Sequence, residues 1–473
     1  MTNEFCFTDG RKLAALIRGR AISAREVMSA FLRQIERVNP KITAIVAKLD
    51  DEKCLAQADE ADRRLTGGDT VGPLHGLPFA FKDLDAVVGF PMTRGSTIFK
   101  DFMPSGDSVL VERLRGAGVI PIGKTNVSEF GMGSHTYNEV YGTTLNPYDL
   151  TKSAGGSSGG AGAALAAGLL PLASGSDHGG SLRNPANFNN IVALRPTVGL
   201  VPVAPMALPF FGVSVKGPMA RSVADVAFLL SAMAGAHPRD PACYPSDPAA
   251  FARPLERDFK NARVAWCPDL GGLPLDRRVR SVLEAQRKSF TDLGCNVEAA
   301  CPDLNGADEV FLVLRAWNYW HTLGPLLENH RHEMKPEAVW QIEAGSRYSG
   351  ADIAQAMARR GELMERMRRF QEQYEFLICA VNQVPPFDAK THWPREIDGV
   401  VMENYMAWMK SAYWISATFC PAISVPAGFT SDGLPVGIQI VGRYRDDLGV
   451  LQLAHGFEQA TGFGRRRPEV ALG

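Results

Sequence analysis

Two runs of glycine and serine hold the residues best suited to chemistry: Ser153–Leu165, "SAGGSSGGAGAAL", and Ala173–Ala186, "ASGSDHGGSLRNPA". Such runs make flexible linkers when they join domains, yet both lie inside a long apolar stretch. Between them "GAALAAGLLPLA" reads as a small-residue helix running into a strand. A glycine-rich turn, a helix, a short strand and a second such turn would bring both turns to one end of a sheet. The N–H groups of His178, Gly179, Gly180 and Ser181 could then line a concavity for a negative oxygen, with the Ser181 hydroxyl beside it. Packing glycines and cap serines would fit the same composition, and composition leaves both readings open. A serine attacks only when a base takes its proton. Lys82 ends the apolar strand "PFAFK", whose flank would desolvate its ammonium and lower its pKa; an ion pair with Asp83 is the alternative.

Three other motifs match a pattern but not its context. "GVIPIGKT", Gly118–Thr125, satisfies the P-loop spacing, and Lys124 would be its phosphate ligand. Its middle residues Val119, Ile120, Pro121 and Ile122 suit a buried strand, and Pro121 lacks the N–H that a phosphate cradle needs. G-x-S-x-G occurs at Gly155–Gly159 and at Gly156–Gly160, but the polar "NPYDLTKSA" before it is no strand for a nucleophile elbow. His330 and His332 lie in a charged stretch with no third ligand at metal-site spacing, which reads as a solvated face rather than a metal site.

The elements that must position these groups alternate along the chain. Helices are expected after Asp9 and after Ser23, where "SARE" is a capping box and Val27, Phe31, Ile35 and Val38 share a face. Asn39-Pro40 should end the second helix, and "ITAIVA" from Ile42 reads as a strand. "ADEADRRL" and "SVLVERLRGAG" read as helices, "LPFAFKDL" and "VIPIGKT" as strands. Ser222 and Asp225 open another helix, and about Leu275 to Arg369 is helix-rich. "AISVPAGF", the turn Asp432-Gly433 and "VGIQIVG" form a hairpin returning to a sheet. This alternation predicts an α/β fold with a central sheet covered by helices.

The 473 residues are 45% hydrophobic and 21% charged with a formal net charge of -1, which excludes a strongly basic or acidic surface for nucleic acid or an anionic membrane. The amino terminus lacks an apolar signal core, and the most apolar run, Ala161–Ala173, is too short and too broken to span a bilayer. A soluble cytoplasmic protein with a small-molecule partner is expected. The eight cysteines are scattered without a Cys-x-x-Cys and are expected to be mostly buried thiols.

The chain resembles the amidase signature family of serine hydrolases. The resemblance is carried by "GLPFAFKD" around Lys82, "GKTNVSEFG" at 123–131, "NPYD" at 146–149 and "GGSSGGAGAALAAGLLPLASGSDHGGSLRNPA" at 155–186. It continues through "ALRPTVGLVP" at 193–202, "GPMARSVAD" at 217–225 and "GLPVGIQIVG" at 433–442. It implies one α/β/α domain over residues 1–473 around a mixed sheet, with a signature core at about 70–230 and a helix-rich, substrate-shaping region at about 275–400. It also implies that Lys82 is the base, Ser157 a bridging serine after a cis peptide, and Ser181 the nucleophile. His178, Gly179, Gly180 and Ser181 would supply the oxyanion-hole N–H groups, and Asp177 with Arg183 would brace the turn. His178 stands where relatives carry Thr or Ile, and "NFNN" at 187–190 where many carry a Cys-Gly pair.

The implied activity is hydrolysis of a small-molecule amide through an acyl-serine intermediate, without metal or cofactor. Two alternatives are an amidotransferase A-type subunit releasing ammonia from glutamine to a partner, and a nucleotide-binding protein using Lys124. Met132 and Ser134, in the loop after "GKTN", and Trp317, Arg315 and Arg395 are the candidate substrate contacts, with either arginine able to pair with a substrate carboxylate. A homodimer is kept as one option for assembly.

Overall fold

The structure is a computed structural model that describes residues 4–472. Helix α1 (Gly10–Arg18) follows Asp9, and α2 (Ala24–Ile42) opens on the Ser23 capping box, in which Ser23 Oγ accepts from the Glu26 N–H at 3.0 Å and Glu26 Oε2 accepts from the Ser23 N–H at 2.8 Å. Pro40 does not end α2. It sits in the last turn, where the bond it forfeits is one of few remaining, and the helix runs on to Ile42. The Asn39 carboxamide then accepts from the N–H groups of Ala44 and Ile45 at 3.0 and 2.8 Å, clamping a turn that shortens the expected strand to β1 (Ile45–Val46). Helix α3 (Asp51–Thr66), β2 (Pro78–Lys82), α4 (Val109–Gly116) and β3 (Ile120–Thr125) complete a three-stranded sheet in the order β1-β3-β2.

The main sheet draws on the rest of the chain. After α5 (Gly159–Ala166) come β4 (Leu172–Asp177), α6 (Arg183–Phe188), β5 (Val192–Arg195), β6 (Val215–Ala220), α7 (Val223–Met233), β7 (Arg263–Trp266), α8 (Arg277–Asp292) and β8 (Asn296–Ala299). Then follow α9 (Ala307–Leu323), α10 (Pro336–Gly345), α11 (Gly350–Gln373), β9 (Phe376–Ala380), α12 (Lys410–Ala417), β10 (Ala422–Phe429), β11 (Pro435–Val441) and α13 (Asp447–Thr461). The eight strands lie in the order β8-β7-β9-β11-β10-β5-β6-β4. β7 pairs in parallel with β8 and β9, and the remaining pairs are antiparallel, including the β10–β11 hairpin.

Alternation along the strands separates two helical layers. Val264, Trp266, Phe376, Ile378 and Ala380 point into one core with α7, α8 and α13, whereas Ala265, Leu377 and Cys379 point into another with α9, α11 and α12. The fold is therefore the expected α/β/α arrangement around a mixed sheet. Among the described residues no helix is long and apolar enough to cross a membrane.

The cysteines depart from expectation at one pair. Cys267 and Cys301 are joined by a disulfide with Cα atoms 5.3 Å apart. Each lies just beyond one of two adjacent parallel strands, β7 and β8, whose register pairs Trp266 with Ala299, so the sheet itself delivers them to bonding distance.

Candidate active site

The two glycine–serine runs meet where the small sheet abuts the large one. Strand β2 lies beside β4, and their C-terminal ends bring Lys82 to Ser176. Helix α5 is wholly buried, and glycine lets it approach so closely: a Cβ on Gly160 would lie 2.3 Å from the Asn126 amide nitrogen. Ser157 and Ser158, which lead into its first turn, are thereby held against Lys82. The Gly156–Ser157 peptide is cis.

Lys82 has no surface exposure, and its ammonium donates to three hydroxyls: Ser157 Oγ at 2.9 Å, Ser158 Oγ at 2.8 Å and Ser176 Oγ at 2.9 Å. Burial, reinforced by the Lys216 ammonium and opposed by Asp85 and Asp177, pushes its pKa down to about 7. Lys216 itself pairs with Asp85, three residues after Lys82. Ser158, Ser176, Asp85 and Lys216 were not singled out in the sequence; the spacing "KDLD" was the one local signal for Asp85.

Beyond β4 the chain turns sharply through Asp177–Ser181. Gly180 has φ +116°, and a Cβ there would lie 2.5 Å from Asn184 Nδ2, so no other residue fits without displacement. Asp177 organises the turn. Its carboxylate accepts from the Gly180 N–H at 2.8 Å, the Leu182 N–H at 3.2 Å, Arg183 Nε and Nη2 at 3.0 Å each, and Arg195 Nη1 at 3.2 Å. Burial alone would raise the Asp177 pKa, but the two guanidiniums outweigh it and hold the carboxyl well below the usual carboxylate range. Arg195, from "ALRPT", thus joins the expected Asp177–Arg183 pair.

This network corrects one expectation about Gly180. Its N–H is taken by Asp177, whereas those of His178, Gly179 and Ser181 donate to no acceptor among the described residues. The Ser181 hydroxyl, with 8% of the residue exposed, likewise makes no hydrogen bond there. The turn therefore presents a free hydroxyl and three free N–H groups, close to a lysine that carries only hydroxyl partners.

The expected substrate contacts divide. The Gly131–Gly133 loop passes over the lysine cluster, since a Cβ on Gly131 would lie 3.5 Å from Ser157 Oγ. Met132 in that loop is buried in a cluster with Tyr319. Ser134 is no free contact: its Oγ donates to the Gly156 carbonyl at 2.9 Å and accepts from Asn184 Nδ2 at 2.7 Å, so it ties the two runs together. Arg315 is buried beside Tyr319, and Trp317 stands behind Phe211, whose ring faces His178 at 5.7 Å. Arg395 is exposed and stacked 3.6 Å over Trp393, with no contact to these residues. Lys124, the P-loop candidate, is buried in strand β3, 3.8 Å from Asp83 and bonded to the Asp85 carbonyl, which leaves no phosphate cradle there.

Residues 26–451 match the family model described as Amidase. The chain is 37% identical over 469 residues to an acylamidase of Rhodococcus erythropolis, covering 98% of this chain and 97% of that one. It is 32% identical over 488 residues to the A-type subunit of a glutamyl-tRNA(Gln) amidotransferase from a Cyanothece species, covering 97% and 99%. Its structure superposes on a bacterial aryl acylamidase of the amidase signature family with a TM-score of 0.91 at 26% identity, covering 99% of each chain. With the family model spanning most of its length, this chain belongs to the amidase signature family.

Proposed function

We propose that the protein is an amidase that hydrolyses the C–N bond of a small-molecule amide through an acyl-serine intermediate, with Lys82, Ser157 and Ser181 as its relay. The observation that carries this reading is a fully buried lysine whose side-chain partners among the described residues are all serine hydroxyls, one of them Ser176, from which the chain runs directly into the turn of free N–H groups that ends at the unpartnered Ser181. In the neutral form Lys82 Nζ has a lone pair for the Ser157 proton, and Ser157 Oγ in turn takes the proton of Ser181. The Ser181 oxygen attacks the carbonyl, and the N–H groups of His178, Gly179 and Ser181 receive the charge that forms on its oxygen. The proton returns along the same path to the leaving nitrogen, the C–N bond breaks, and water repeats the sequence on the ester.

In this proposal the core at about 70–230 supplies the chemistry, and the helix-rich segment shapes the acyl pocket. The acylamidase likeness favours a free-standing hydrolase over a subunit that passes ammonia to a partner. Labelling with a fluorophosphonate, followed by peptide mapping, tests the assignment. Modification at Ser181, lost in Ser181→Ala, together with hydrolysis of simple acyl amides by the isolated chain, is the expected result. Labelling elsewhere would remove Ser181 as nucleophile, and turnover confined to glutamine with a partner present would favour the amidotransferase.

A further inference from the structure

Helix α9 presents Phe311, Arg315 and Tyr319 along one face, at the spacing of successive turns. That face lies on the Ser181 turn: a Cβ on Gly179 would come within 2.6 Å of Phe311 Cζ. The His178 ring sits 5.5 Å from Phe311 and 6.0 Å from Tyr319. Between those two rings lies the Arg315 guanidinium, 4.7 Å from the Tyr319 centroid and 5.9 Å from that of Phe311.

Arg315 is only 3% exposed and has no carboxylate within ion-pair distance among the described residues. Its protein partners are two long, neutral contacts, Gln341 Oε1 at 3.3 Å and the Tyr405 hydroxyl at 3.5 Å, and Nη1 has none. The nearby Arg183 and Arg195 are buried too, but they share Asp177. A buried cation without an anion is costly, and aromatic faces offset only part of that cost. His178 has the same deficit, since its Nε2 is buried without a hydrogen-bond partner. Burial first, then the Arg315 charge, lowers the His178 pKa well below its ordinary value, so the ring is a neutral group able to donate one hydrogen bond.

We propose that Arg315, with His178 beside it, is the receptor for a carboxylate carried by the amide substrate. This rests on the amidase reading above and narrows its substrate class to amides of acids or amines that bear a second, anionic end. The planar guanidinium offers a two-point contact, the carboxylate supplies the anion that Arg315 lacks, and the imidazole orients the same group. Tyr405 continues the wall, its ring 3.8 Å from where a Cβ on Gly133 would stand, in the loop that passes Ser157. Arg395, stacked in the open on Trp393, has no part in this receptor.

The test uses two matched pairs: glutaramic acid with pentanamide for a carboxylate on the acyl side, and N-pentanoylglycine with N-methylpentanamide for one on the amine side. In the wild-type enzyme, kcat/KM should favour the carboxylated member of one pair by about 10- to 100-fold, and that pair identifies the side. Arg315→Gln should remove most of that preference. The proposal fails if wild type prefers neither carboxylated amide, or if Arg315→Gln keeps the preference. Should Arg315→Gln not fold, Arg315→Lys, which keeps the charge without the fork, should show a reduced preference, and an unchanged one overturns the proposal. If no amide is turned over, the amidase reading has failed, and glutarate decides the receptor by itself. A rise in Tm of the wild type, reduced in the variant, supports it; no rise overturns it.

Discussion

Two lysines, Lys82 and Lys124, lie on neighbouring parallel strands, one register step apart, and neither has any exposed surface. Burial lowers both pKa values. Their partners differ. Lys124 sits 3.8 Å from the buried carboxylate of Asp83, whose charge it matches. Among the described residues Lys82 touches no carboxylate and donates to three hydroxyls, with Lys216 close enough to disfavour its charge further. In the proposed relay, burial alone therefore does not make a base. A desolvated amine becomes one where the protein withholds a counter-ion and supplies groups that can hand it a proton.

The largest effect that would break this contrast lies in turnover. Ser181→Ala should lower kcat by about 10⁴-fold or more and Lys82→Met by about 10³-fold or more, with circular dichroism unchanged. If Lys82→Met kept wild-type turnover, Lys82 would be no different in kind from Lys124.

Stability should show the opposite pattern. Lys124→Met leaves Asp83 buried without its cation and should cost about 3–5 kcal/mol in denaturant unfolding. Lys82→Met removes no ion pair. In the wild type, Lys82 is protonated up to pH 10.5 when unfolded but only up to about 7 when folded, so across that window the unfolded state binds more protons and stability rises with pH. Unfolding curves at several pH values should show that rise shrinking in Lys82→Met; an identical pH slope in both proteins would mean the folded lysine is not desolvated.

Asp177 is a buried acid that does keep its counter-ions, Arg183 and Arg195. Its folded pKa is held below the usual carboxylate range, so its stabilisation is present above about pH 4 and disappears as acid protonates the folded carboxyl. Asp177→Asn should cost about 3–5 kcal/mol near neutral pH, because Arg183 and Arg195 remain buried without their anion. A cost below about 1 kcal/mol would show that the turn stands without this brace.

The smallest effect concerns the far end of the large sheet. Cys301→Ser opens a link that spans 34 residues, and it should lower stability by about 2–4 kcal/mol while leaving the pH profile of kcat/KM unmoved. A shifted profile would connect that edge to the lysine.

What could be read from the sequence was mostly local. The apolar flank Phe79, Ala80 and Phe81 announced a desolvated Lys82, and the Val-Ile-Pro-Ile run before Gly123 argued against a phosphate cradle at Lys124; the structure buries both lysines. A sheet covered by helices followed from strands and helices alternating along the chain, and the α/β/α layering from the family resemblance. The missed features are long-range. Ser176 and Lys216 reach Lys82 and Asp85 through strand neighbours far apart in sequence, and Cys267 meets Cys301 only because two strands lie in register. Arg315 and Arg395 looked equivalent in the sequence; the fold buries one against the Ser181 turn and leaves the other on the surface. Gly180 differs in the other direction: the sequence places its N–H in a run of donors, but in the fold it donates to the Asp177 carboxylate.

If Lys82 works as a neutral amine, the pH dependence of kcat/KM on an uncharged amide must show its titration. The rate should rise as Lys82 loses its proton, with a midpoint at about pH 7, and then level off on the alkaline side. A rate falling steadily from about pH 6 to about pH 9, in enzyme shown to stay folded, would contradict it.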